Sequence, residues 1–112
     1  MKLKSINPSS KKDKKFDAVF IDKETKKEKK ISFGAKGYRD FTLINKKDSQ
    51  FYEKEKAKRE QVRTNYQTRH AKDLQTEKGK TGLSPGALSY FVLWTAPTLK
   101  GGIRNYKKKY GL

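Results

Sequence analysis

The sequence contains no cysteine and only one histidine, one tryptophan and one methionine. Without cysteine there is no disulfide framework and no thiolate metal site, and the composition suits a reducing compartment. With His70 as the single imidazole, a multi-histidine metal site is excluded, and any Ser-His-Asp triad would have to be built on it. No window of about eighteen apolar residues occurs, and no segment sets a clean apolar face against a basic one, so no membrane insertion is expected. Met1-Lys2-Leu3-Lys4 runs into polar residues with no apolar h-region, which gives no sign of a secretory signal. Apolar residues are scarce too, at 32% of 112. A chain this short buries a small share of its surface, so six Phe, six Tyr and Trp94 must supply much of a thin core.

Negative charge is the other scarcity: 12 Asp plus Glu stand against 29 Lys plus Arg, a formal net charge of +17. Such an excess opposes compaction through self-repulsion, and is better read as serving a partner that brings the missing negative charge. Nucleic acid is the usual partner of that kind, and an acidic protein surface the next.

The expected fold class is α+β. A basic N-terminal arm over residues 1–14, with Leu3 and Ile6 as its only apolar anchors, is expected to be disordered alone and to precede a single domain over residues 15–112. In that domain a small antiparallel sheet over about residues 15–44 is followed by one long helix and two shorter C-terminal helices. Phe16, Ala18 and Phe20 alternate with Asp17, Val19 and Ile21, a strand signature. The polar stretch Asp22 to Glu28 joins it to a second strand at Lys30 to Phe33. Gly34 and Gly37 bracket a turn, and Phe41 and Leu43 alternate in a third extended segment at Tyr38 to Ile44. Asp48 or Ser49 offers an N-cap for a helix over about residues 50–75. Thr76 to Leu83, with Gly79 and Gly82, reads as a loop. Ser84-Pro85 is a helix start before the apolar run Ala87 to Trp94. Pro97 ends that run, and Gly101-Gly102 separate it from a last basic segment with Ile103, Tyr106 and Tyr110 at helical spacing.

Few features point to catalysis. His70 at the end of a basic helix fits a surface or capping residue. Asp40, Asp48, Glu53 and Glu55 lie among lysines and fit charge partners better than an acid–base pair. Gly79-Lys80-Thr81 resembles the end of a nucleotide-binding loop, but its upstream glycine and preceding apolar strand are missing. The chain is therefore expected to be no enzyme, with no cofactor, no bound metal and no small-molecule substrate.

The cations are more informative. Lys56, Arg59, Arg63, Tyr66 and His70 recur every three or four residues and so share one helical stripe, from which several cations could meet successive phosphates. The candidate nucleic-acid contacts are Lys11, Lys12, Lys14 and Lys15 near the N-terminus, Lys56, Arg59, Arg63 and Arg69 on the long helix, and Arg104, Lys107, Lys108 and Lys109 at the C-terminus. Tyr66, Tyr106 and Tyr110 could stack on bases, but a core this poor draws them inward. Lysine is a point charge suited to phosphate, whereas arginine makes the bidentate contacts that read bases. Its excess points to binding without sequence preference.

Lys15-Phe16-Asp17-Ala18-Val19-Phe20, Ile31-Ser32-Phe33-Gly34, Tyr38-Arg39-Asp40-Phe41-Thr42, Tyr66-Gln67-Thr68-Arg69-His70 and Gly86-Ala87-Leu88-Ser89-Tyr90 with Leu93-Trp94 form a succession. It resembles a family of small basic proteins encoded by nucleocytoplasmic large DNA viruses, the giant viruses and their algal-virus relatives, over residues 15–112. The resemblance implies a viral setting and no catalytic residue. The localisation would be the virion, and the host cytoplasm or nucleus during infection. Two functions follow as expectations: a sequence-nonspecific DNA-binding or genome-packaging virion protein, or a minor capsid protein whose arm and basic faces bind acidic virion proteins.

Overall fold

A computed structural model describes all 112 residues and shows an α+β fold, a three-stranded antiparallel sheet followed by helices. Strand β1 (Lys2–Pro8) pairs with β2 (Lys14–Ile21), which pairs with β3 (Glu28–Ala35), in the order β1-β2-β3. The β2–β3 hairpin follows the alternation: Ala18, Phe20, Ile31 and Phe33 are buried on one face, with Phe16 half-buried beside them. Its turn lacks glycine and is held instead by the Asp22 carboxylate, which accepts from the backbone N–H groups of Glu24 and Thr25 at 2.9 and 3.2 Å. Lys26 takes the left-handed conformation there, at φ 63°.

The N-terminal arm differs from expectation, because residues 2–8 are a strand of the domain. Leu3 lies opposite Phe20 and Ile6 opposite Ala18, with a register shift between Leu3 and Ser5. Residues three apart face opposite sides of a regular strand; the extra residue, Lys4, turns both onto the buried face. The expected third strand over residues 38–44 is likewise corrected. Asp40 accepts from the Leu43 backbone N–H at 3.0 Å and caps a single turn, α1 (Phe41–Ile44), which buries Phe41 and Ile44 at helical spacing.

The long helix starts later than the caps suggested. Ser49 accepts from the Phe51 backbone N–H in a turn, and α2 runs over Lys56–His70, continued by a 3₁₀ turn at Ala71–Leu74. No residue of α2 is fully buried, as its low apolar content requires. The loop expected over residues 76–83 contains α3 (Glu77–Thr81). Thr76 caps it by accepting from Gly79, and Gly82 at φ 85° ends it as a left-handed cap. Ser84 and Pro85 start α4 (Pro85–Leu88), which passes into a π-helical turn at Ser89–Leu93.

Helix α5 (Leu99–Tyr110) is capped by Thr98 and contains the two glycines that were expected to precede it. Its Gly102 lies against the backbone of Val92, where any Cβ would come within 1.9 Å of the Val92 carbonyl oxygen. Closeness of that kind explains a glycine inside a helix. The core joins the sheet residues to Phe41, Ile44, Leu88, Val92, Leu93, Trp94 and Tyr106. The Tyr106 hydroxyl donates to the Gly82 carbonyl at 2.6 Å and the Tyr110 hydroxyl to the Gly79 carbonyl at 3.1 Å, so α5 is tied to α3 through two phenols. Burial raises the pKa of both.

Candidate nucleic-acid interface

Residues 78–112 contain no Asp or Glu, while Lys78, Lys80, Lys100, Arg104, Lys107, Lys108 and Lys109 all fall there. On α5 the apolar positions Leu99, Ile103, Tyr106 and Tyr110 pack against the core or lie in it. Lys100, Arg104, Lys107 and Lys108, at i, i+4, i+7 and i+8, share a second face and are exposed. Helix α5 therefore does set an apolar side against a basic one, contrary to the sequence expectation, with the apolar side packed on the domain. No carboxylate forms an ion pair with any of them. The lysines of the last turn favour the helix dipole, but Lys100 stands in the first turn, where a cation opposes it. Like charges three and four residues apart also repel. The face therefore carries a cost in the isolated chain that a polyanion would remove.

The other sequence-predicted contacts divide. Lys11 and Lys12 are exposed in the β1–β2 turn, and Lys56 and Arg69 are exposed on α2. Arg59 and Arg63 are turned toward the protein. An Arg59 Nη donates to the Glu53 carbonyl at 2.6 Å. Arg63 pairs with Glu60 at 2.5 Å and lies 4.9 Å over the Phe41 ring. The Nε atoms of both are enclosed without a hydrogen-bond partner. The stripe inferred from spacing is thus real as a helical face, but its arginines help to attach α2 to the domain.

Lys15 is a structural residue as well. Its ammonium, with 12% of the side chain exposed, lies 2.6 Å from the Asp40 carboxylate, which is 2% exposed, and donates at 2.6 Å to the Tyr38 carbonyl. Gly34 permits this: a Cβ there would lie 3.1 Å from the Lys15 Cβ and 3.2 Å from its Cδ. Because Asp40 also caps α1, one ion pair fixes the loop from Gly37 to Asp40 onto the sheet.

Above that loop a cleft of about 540 Å³ lies between the end of β3, α2 and α4. Lys14, Lys15, Arg39 and Arg69 line it, against the carboxylates of Asp40 and Asp73. Asp40 is taken by Lys15, and Asp73 lies 2.9 Å from His70 Nδ1, whereas Lys14, Arg39 and Arg69 have no carboxylate partner. His70 therefore has a partner that its solitude in the sequence concealed, three residues on. Arg69 Nε lies 3.4 Å from His70 Nε2, and since a guanidinium N–H only donates, Nδ1 is the atom that carries the proton toward Asp73. The Tyr66 ring is stacked between Trp94, at 4.1 Å, and His70, at 4.2 Å. Burial pushes the Tyr66 phenol up to about 12. Tyr38, at the same cleft, is 71% exposed. Neither the cleft nor the exposed tyrosine was foreseen; the Gly34 to Gly37 turn was the only signal nearby.

No group of three or more His, Cys, Asp or Glu side chains is placed to hold a metal ion. No helix is long and apolar enough to cross a membrane.

Taken together, fold and surface define a small basic α+β protein with an acid-free C-terminal helix. Residues 4–50 match a protein family described as a family of unknown function (DUF5754), a segment that spans the sheet, α1 and the following turn. Neither a curated protein nor a solved structure matches the chain.

Proposed function

We propose that this chain is a non-enzymatic nucleic-acid-binding protein that engages phosphates without sequence preference, principally through α5. The observation that supports this reading is the face of Lys100, Arg104, Lys107 and Lys108, unpaired, mutually repelling and set in a third of the chain that has no acid. Eight residues of helix rise about 12 Å, the length of three to four base steps at about 3.4 Å each. Lys11, Lys12 and Lys56 are further exposed cations, on other elements of the fold. In the setting that the sequence resemblance implies, the protein would be a genome-binding virion component on DNA.

The test is the salt dependence of duplex DNA binding. Each phosphate engaged contributes roughly −0.9 to the slope of log affinity against log salt. Replacing Lys100, Arg104, Lys107 and Lys108 by Gln is expected to make the slope shallower by about three to four, equally for unrelated sequences. A slope near zero in the parent chain, or an unchanged slope in the variant, refutes the assignment and turns attention to acidic virion proteins as the partner.

A further inference from the structure

We propose that the cleft between the Gly37–Asp40 loop, α2 and α4 receives one unpaired nucleotide, its phosphate on Lys14, Arg39 and Arg69 and its base on the ring of Tyr38. This deepens the nucleic-acid reading and rests on it for the nature of the ligand. Three cations without carboxylate partners converge on a concave site whose two acids are already engaged, so an anion entering it meets net attraction. A volume of about 540 Å³ is within the range of small-molecule sites.

Phosphate chemistry alone does not account for Tyr38. Apart from the chain-terminal Met1, it is the one large apolar side chain that is exposed. Its exposure is not that of a slack loop: its own carbonyl is held by Lys15 Nζ, and Asp40 two residues on is locked by the same ammonium. A ring presented on an anchored backbone beside free cations is the arrangement with which single-strand binders stack a base while holding its phosphate. A duplex keeps its bases stacked on each other, so only an unpaired nucleotide can use the ring.

Polarisation of a labelled oligo-dT strand and of a labelled duplex would test this, with emission of Trp94 followed in parallel, since the only tryptophan lines the cleft. Tyr38 is exposed, so Tyr38→Ala leaves the fold intact. It is expected to weaken strand binding roughly tenfold, the size of a base–aromatic stack, and to leave duplex binding unchanged. Arg39→Gln with Arg69→Gln is expected to weaken strand binding further and to abolish the Trp94 response. Where the variants weaken strand binding, AMP as competitor separates the sources: displacement by AMP assigns the cleft to free nucleotides, and resistance to AMP assigns it to the polymer. Unchanged strand affinity in both variants, with Trp94 emission unmoved by strand or AMP, overturns the proposal. In that case loss of duplex binding in the α5 variant still upholds the general reading. Conversely, an ineffective α5 variant beside an effective Tyr38→Ala removes α5 and leaves the cleft.

Discussion

Replacing Gly102 by Ala tests how closely α5 is seated. The added Cβ would lie 1.9 Å from the Val92 oxygen, 2.7 Å from its carbonyl carbon and 2.9 Å from its Cα. All three are backbone atoms of the π-helical turn and cannot rotate aside. To reach an ordinary 3.4 Å contact with the oxygen, the two segments must part by about 1.5 Å. A shift of that size pulls the Tyr106 hydroxyl off the Gly82 carbonyl and loosens a phenol that is 0% exposed. Against this, Gly→Ala within a helix gains roughly 1 kcal/mol of propensity. Overpacking costs about 1–3 kcal/mol or more, and a buried hydroxyl left without its partner about 1–3 kcal/mol. The net expectation is a loss of about 3 kcal/mol, or a fall in Tm of roughly 12 °C for a domain of this size. Gly101→Ala is the control. Its Cβ meets only the side chains of Ala96 and Thr98, at 3.0 and 3.1 Å, and the propensity gain should hold its Tm within a few degrees of the parent. Thermal melts followed by circular dichroism compare the two. If Gly102→Ala melts alongside Gly101→Ala, the seating of α5 on Val92 is wrong.

Lys15→Ala should destabilise the domain by about 3–5 kcal/mol, because it strands the buried Asp40 carboxylate, and should leave the salt slope of DNA binding unchanged; urea midpoints and titrations check the two halves. Alkaline stability should fall as pH rises from about 10: the unfolded chain ionises its phenols there, while Tyr66 holds its proton to about 12 and burial also raises Tyr106 and Tyr110. Stability is thus full below the unfolded value and lost as pH climbs through the folded one. Tyr66→Phe should reduce that decline in urea midpoints measured across the range. At the acid end the hydroxyls of Ser32, first, and Ser9 hold Asp17 below the usual carboxylate range. Their contribution is present above the unfolded value and lost as pH falls through the depressed one, so Ser32→Ala should flatten the acid decline of the urea midpoint.

What could be read from the sequence depended on whether a signal was local. The β2–β3 hairpin declared itself through strict alternation of Phe16, Ala18 and Phe20, and α4 through Ser84-Pro85. The bulge at Lys4 hid β1, since Leu3 and Ile6 fit no simple period until an extra residue is allowed between them. Phe41 and Leu43 imitated a strand, yet the Asp40 cap makes Phe41 and Ile44 the buried pair. Thr76 and Gly82 were read as loop residues although together they cap both ends of α3. In the candidate sites, the free cations of α5 were visible as charges at helical spacing. The inward turn of Arg59 and Arg63 was not, because Phe41 and Glu53 reach them only through the tertiary fold. The cleft was invisible for the same reason: Lys14, Tyr38, Arg39 and Arg69 come from three separate parts of the chain.

The bulge at Lys4 also bears on behaviour at high concentration. A three-stranded sheet has two open edges, and each is a template on which another copy could add a strand. On one edge the ladder is broken at Lys4 and closes at Pro8, which has no N–H to offer. The other begins Glu28-Lys29-Lys30, all exposed, so an identical strand added parallel and in register would bring lysine against lysine. A polycation gathered densely on a polyanion loses the long-range repulsion that normally keeps copies apart, and these two guarded edges would then be what keeps crowded molecules from joining into continuous β-structure.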